Sequence, residues 1–286
     1  MVVVTLTAYV LHGRARPAAT VAPPAAPAPS EEPLLEEWCA DGLEPIAGGG
    51  CFAAPHDRAS EVPLVVYLHG RYSTDTTNEE LDRQARVARH ATARGFAVVA
   101  LRGQQGECVA PFSDYWCWPS NERNQADGPA FVARWSTALT AARKRIGPGP
   151  NVLFGFSNGA YFAVLIATRA LAPFEAVVVA HGGPVEPTHA EGVPMPMLLI
   201  TADDDASDPE MQLLDDELSR AAWPHALVAR DGGHALPDWD IEAALTFFTR
   251  ARSEKLPFVP PLATRSRRPR VAMVETIVDA STDDDR

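Results

Sequence analysis

Apolar positions in this chain fall into short uninterrupted runs. Leu64 to Leu68, Phe96 to Leu101, Val152 to Phe156, Glu175 to Ala180, Met197 to Ile200 and Ala226 to Ala229 show almost no alternation with polar residues. Successive strand side chains point to opposite faces, so such runs predict strands covered on both sides, the condition of a parallel sheet. Stretches of helical character lie between them, near residues 78–94, 127–146, 158–171, 208–221 and 238–252. Strand alternating with helix requires right-handed crossovers, so the predicted fold class is α/β: a mostly parallel central sheet with helices on both faces. In such a sheet, functional residues belong beyond the carboxyl ends of the strands.

Chemistry is therefore sought just after each apolar run. The third runs into Gly155-Phe156-Ser157-Asn158-Gly159 and at once into the helical Ala160 to Leu165. A Gly-x-Ser-x-Gly between strand and helix is a nucleophile elbow: the turn is too tight for large neighbours, and it lifts the serine to a helix N-terminus, where negative charge is favoured. A serine hydroxyl needs a base. His234, in Asp231-Gly232-Gly233-His234, follows the last strand on a flexible loop and is the candidate; His181, in Ala180-His181-Gly182-Gly183, is its rival. An acid must orient the imidazole. The run ending at Ile200 leads into Asp203-Asp204-Asp205, of which Asp205 is the first choice and Asp204 the second. The order Ser157, Asp205, His234 is that of one serine-hydrolase fold and not of the other two. An oxyanion needs two backbone donors. Asn158 supplies one, and Arg71 in His69-Gly70-Arg71-Tyr72 the second, with Tyr72 as alternative.

On Leu68-His69-Gly70, the Gly155–Gly159 elbow, the Asp203–Asp205 loop and Gly233-His234, residues 60–252 resemble the α/β-hydrolase superfamily. Within it the chain is similar to secreted esterases of the polyhydroxybutyrate-depolymerase and feruloyl-esterase type, or to dienelactone-hydrolase-like proteins. The resemblance implies an α/β-hydrolase fold and a serine hydrolase that cleaves small or polymeric carboxylic esters through an acyl-enzyme, with no cofactor and no metal. One departure is Ala202, where the family usually has glycine before the acid loop. Two rival readings are a serine peptidase like prolyl oligopeptidase and a catalytically inactive binding protein of the cell envelope.

The four cysteines allow three pairings, of which the local one, Cys39 with Cys51 and Cys108 with Cys117, is simplest. The second pair would brace the loop Gln104 to Pro119 at a strand's carboxyl end. Its rings suggest a substrate wall made by Trp116 or Trp118 beside Tyr72, although tryptophan more often packs as core. Disulfides imply an oxidising compartment.

Charge and the chain ends complete the picture. A net charge of −12 argues against nucleic acid, and no apolar run reaches the length of a membrane-spanning segment. Residues 1–16 read as the remnant of an export signal, 17–33 as a Pro/Ala-rich spacer, 34–258 as the catalytic domain and 259–286 as a flexible tail. The expected location is secreted, periplasmic or cell-envelope, with cytoplasmic as the alternative.

Overall fold

The computed structural model describes residues 38–57, 59–121, 123–183 and 193–253. The expected export remnant, spacer and tail lie outside these residues. Five parallel crossovers build the sheet that the apolar runs predict: β3 (Leu64–Leu68), β4 (Ala97–Leu101), β5 (Asn151–Phe156), β6 (Val177–Ala180), β7 (Met197–Ala202) and β8 (His225–Arg230). Two shorter strands, β1 (Glu44–Ile46) and β2 (Gly50–Ala53), join as an antiparallel hairpin, and the order across the sheet is β1-β2-β4-β3-β5-β6-β7-β8.

The hairpin is not visible as an apolar run, because three or four residues are too few to display one. It is tied down instead by Cys51, which is bonded to Cys39 with their Cα atoms 5.3 Å apart.

Apolar side chains fill both faces in alternation. Leu64, Val66 and Leu68 face one layer, while Val65 and Tyr67 face the other. On the first side lie α2 (Gly128–Ile146), α3 (Asn158–Thr168) and α4 (Asp208–Arg220); on the second lie α1 (Thr77–Ala93) and α5 (Asp238–Ser253). Helix α3 is apolar nearly all round, with Phe162, Ala163, Val164 and Ile166 fully buried, as a helix must be when sheet and neighbouring helices enclose it. Its N-terminus is thereby fixed at the carboxyl end of the central strand β5. Among the described residues no helix is long and apolar enough to cross a membrane.

Candidate active site

Residue 157 leaves β5 in a conformation few side chains adopt, φ 52° and ψ −120°. That turn works only between glycines. A Cβ on Gly155 would stand 2.4 Å from the Gly159 carbonyl oxygen, and one on Gly159 2.3 Å from that of Leu68. Both clashes are with backbone and cannot be relieved by a rotamer change. The strained turn presents the Ser157 hydroxyl at the sheet edge, ahead of the first turn of α3.

Three loops then converge. His234 lies on the loop after β8, and its Nε2 is 2.8 Å from Ser157 Oγ. Its Nδ1 lies 3.1 and 3.0 Å from the two carboxylate oxygens of Asp205, on the loop after β7. The loops are knitted by backbone bonds from the Asp203 amide to the Arg230 carbonyl and from the Asp204 amide to the Gly232 carbonyl. Of the three successive acids, Asp203 and Asp204 are exposed, whereas Asp205 turns inward and is 4% exposed. Its Oδ1 accepts from the Ser207 amide and hydroxyl, both at 2.8 Å. Burial works to raise the Asp205 carboxyl. The two Ser207 bonds, the charge of His234 and the His181 hydrogen bond outweigh it, so the group stays below the usual carboxylate range. An ionised acid behind a half-exposed imidazole suits a base that becomes cationic during reaction.

His181, the rival base, stands elsewhere. It is fully buried behind Asp205, with Nδ1 2.7 Å from Asp205 Oδ2. His181, Asp205 and His234 offer ligand atoms within 4.8 Å of one another. Both His181 nitrogens already face carboxylates and His234 Nε2 faces the serine, so these donors are committed to a hydrogen-bonded row.

The loop after β3 packs against the elbow. A Cβ on Gly70 would lie 3.1 Å from that of Ser157, which brings the Gly70-Arg71 backbone beside Ser157. His69 anchors this loop. Burial holds its imidazole down at about 3, so it is neutral; it accepts from the Gly103 amide at 2.8 Å and donates to the Gly70 carbonyl at 2.5 Å. Arg71 itself is exposed, and its guanidinium lies 3.9 Å over the ring of Phe112. Asn158 opens α3 beside the serine. Its side chain accepts from the Trp118 amide and donates to Ser120, both at 2.7 Å, a role of the side chain that its place in the motif does not announce.

The substrate wall expected from Tyr72 and Trp118 is corrected. Tyr72 is 1% and Trp118 0% exposed. Trp118 is enclosed by Trp135, Phe131 and Phe162 and donates its Nε1 proton to the His69 carbonyl at 2.9 Å. A ring with every face occupied packs a loop and cannot meet a ligand. Trp116 is partly exposed, stacked on Tyr72 and covered by Arg102 at 3.5 Å. Cys108 and Cys117 are joined, with Cα atoms 5.5 Å apart, so both pairs are the local ones.

No protein-family profile matches the sequence, and no curated protein matches it either. Solved structures do. The chain is similar to esterase PE8, at 20% identity and TM-score 0.55, over 71% of this chain and 98% of that one. It is similar to TT1662 from Thermus thermophilus, at 18% and 0.52, over 75% and 97%. It is also similar to a variant of SOBER1 from Arabidopsis thaliana, at 15% and 0.51, over 66% and 99%. The sheet order and these likenesses agree: the chain has the α/β-hydrolase fold.

Proposed function

We propose that the protein is a serine hydrolase of carboxylic esters. The observation that carries this reading is the 2.8 Å contact between His234 Nε2 and Ser157 Oγ, with Asp205 behind the imidazole. In this reading His234 takes the serine proton as Oγ attacks the ester carbonyl, and Asp205 stabilises the imidazolium that results. The amides of Asn158 and Arg71 receive the oxyanion. His234 then gives its proton to the leaving alcohol. Water, activated by the same imidazole, cleaves the acyl-enzyme and releases the acid. The name of esterase PE8, a structural neighbour, agrees with an ester as substrate. Trp116 is the remaining candidate for a substrate wall. The two cysteine pairs favour an exported protein.

The test is hydrolysis of aryl esters of graded acyl length, aryl cinnamates, a polyester and a peptide amide. Ester turnover is expected, together with fluorophosphonate labelling at Ser157, and Ser157→Ala should lose both while keeping the wild-type circular dichroism. Trp116→Ala should change the ranking of acyl lengths. A wild-type protein that neither labels nor turns over any ester would sink the reading; preference for the amide would favour the peptidase.

A further inference from the structure

Hydrogen bonding at the site does not end at Asp205. His181 lies behind it, fully buried, and its Nε2 is 2.8 Å from Oδ2 of Asp240, in the first turn of α5 and also fully buried. Arg230, the last residue of β8, donates from Nε to Asp240 Oδ1 at 2.9 Å and from Nη2 to Oδ2 at 3.2 Å. The same Nη2 reaches back to the carbonyls of Ala235 at 2.9 Å and Gly233 at 3.3 Å. Those residues flank His234. The row Ser157, His234, Asp205, His181, Asp240, Arg230 is therefore continuous, and its far end holds the loop that carries its second member.

A neutral imidazole has one N–H. Both His181 nitrogens face carboxylate oxygens at hydrogen-bonding distance, so the ring donates from both only as an imidazolium. The Arg230 Nη2 contact to Nε2 is longer, at 3.3 Å, than the 2.8 Å contact of Nε2 with Asp240 Oδ2, an acceptor that Arg230 Nη2 also meets at 3.2 Å. With His181 charged, the carboxylates of Asp205 and Asp240 are balanced by His181 and Arg230, and the cluster is neutral. Uncompensated charge in such a place would be costly.

The backbone points the same way. Among the described residues four that are not glycine have positive φ. Ala170 and Ala222 follow the ends of α3 and α4, where left-handed residues are ordinary; the other two are Ser157 and His181, the latter at 58°. A strained conformation at the end of β6 is what delivers the imidazole beneath Asp205.

We propose that His181, held as a cation by the carboxylates of Asp205 and Asp240, the latter anchored by Arg230, is a positioning residue for the serine–histidine–aspartate site. It locks the Asp205 rotamer and offsets part of that carboxylate's charge, and so sets the pH at which His234 becomes a base. The proposal rests on the hydrolase reading above. Other ionisable groups surround the row. Arg83 of α1 lies beyond the Phe156 ring, Tyr161 of α3 and Glu210 of α4 bond to each other, and Asp203, Asp204 and Asp231 stand exposed on the two loops. Two cations stand near His234: Arg230, bonded to the carbonyls on either side of it, and His181, whose ring centroid is 6.0 Å from its own.

A cation there disfavours a second one at His234. Replacing His181 with glutamine keeps a donor and removes the charge, so the acidic limb of kcat/KM should move upward by about one pH unit, with KM little changed. Asp240→Asn, which removes the reason for the second proton, should shift the limb the same way. His181→Leu removes the donor too, and should in addition lower plateau kcat about ten-fold. Histidine 15N shifts, assigned by comparison with His181→Gln, should report both His181 nitrogens protonated. An unshifted limb in a folded His181→Gln protein, or one bare nitrogen on His181, overturns the proposal. Should Asp240→Asn fail to fold, His181→Gln and the 15N spectrum decide. If the wild type turns over no ester, the hydrolase reading falls, and the spectrum still decides the charge on His181.

Discussion

Asp203, Asp204 and Asp205 are chemically identical, and only their directions differ. The first two point to solvent. The third is turned inward and meets His234 Nδ1 at 3.0 Å, while Ser207 bonds its Oδ1 and His181 its Oδ2. On the proposed mechanism, removing its charge but not its shape should be severe, because asparagine would offer His234 an amide where a carboxylate would stabilise the imidazolium. Asp205→Asn is expected to lower kcat by about three to four orders of magnitude. Asp203→Asn and Asp204→Asn should stay within about three-fold of wild type in the same steady-state assay. Equal losses at all three positions would disconnect the geometry from the chemistry. Order of residues brought Asp205 to notice, but three adjacent carboxylates share one pattern, and the turn from the Ala202 carbonyl to the Asp205 amide is what selects among them.

At the scale of elements, a loop is held to a helix. The segment around Trp116 to Ser120 is fastened to the elbow by Asn158, whose side chain bonds the Trp118 amide and Ser120, and by the Trp118 indole on the His69 carbonyl. Asn158→Ala leaves the backbone amide that would receive an oxyanion but strips these bonds from the loop. Stability should fall by about 1–3 kcal/mol, measured by chemical denaturation, with fluorophosphonate labelling retained. Loss of labelling with unchanged stability would contradict this division of labour. Clustered aromatics in the sequence suggest a ligand wall as readily as a core, since both are apolar. Burial of Trp118 among Trp135, Phe131 and Phe162 resolves the matter only once α2 and α3 are packed.

For the whole molecule the issue is pH. Glu80, on α1, is fully buried, and burial pushes its carboxyl up to about 7 even though Arg83 bonds it at 3.0 Å. The folded state then binds a proton that the unfolded chain releases near its ordinary value of 4.5. Between those limits the unfolded state binds fewer protons, so this group makes stability fall as pH rises from about 4.5 to about 7, by about 3 kcal/mol at most. Asp205 acts oppositely: its carboxyl is held low, so its contribution is present above the ordinary carboxylate range and disappears on acidification. Glu80→Gln should flatten the decline of Tm between pH 5 and pH 7, as followed by calorimetry. A slope as steep as that of the wild type would assign the pH dependence to other groups.

Sequence alone determined the doubly covered parallel sheet, the turn at Ser157, and the order of Ser157, Asp205 and His234 along it. These are properties of neighbours along the chain: uninterrupted apolar runs, glycines two positions either side of a serine, polar residues just past strand ends. Tertiary structure decided which aspartate faces the imidazole, that Trp118 is core, and that His181 backs the acid and not the serine. It also joined Asp240 and Arg230 to His181, across 59 and 49 residues of chain. Such partnerships leave no periodicity to read. They arise where strands that are distant in sequence end side by side, and there the direction of each side chain is set by packing and by the unmet hydrogen bonds of buried polar groups.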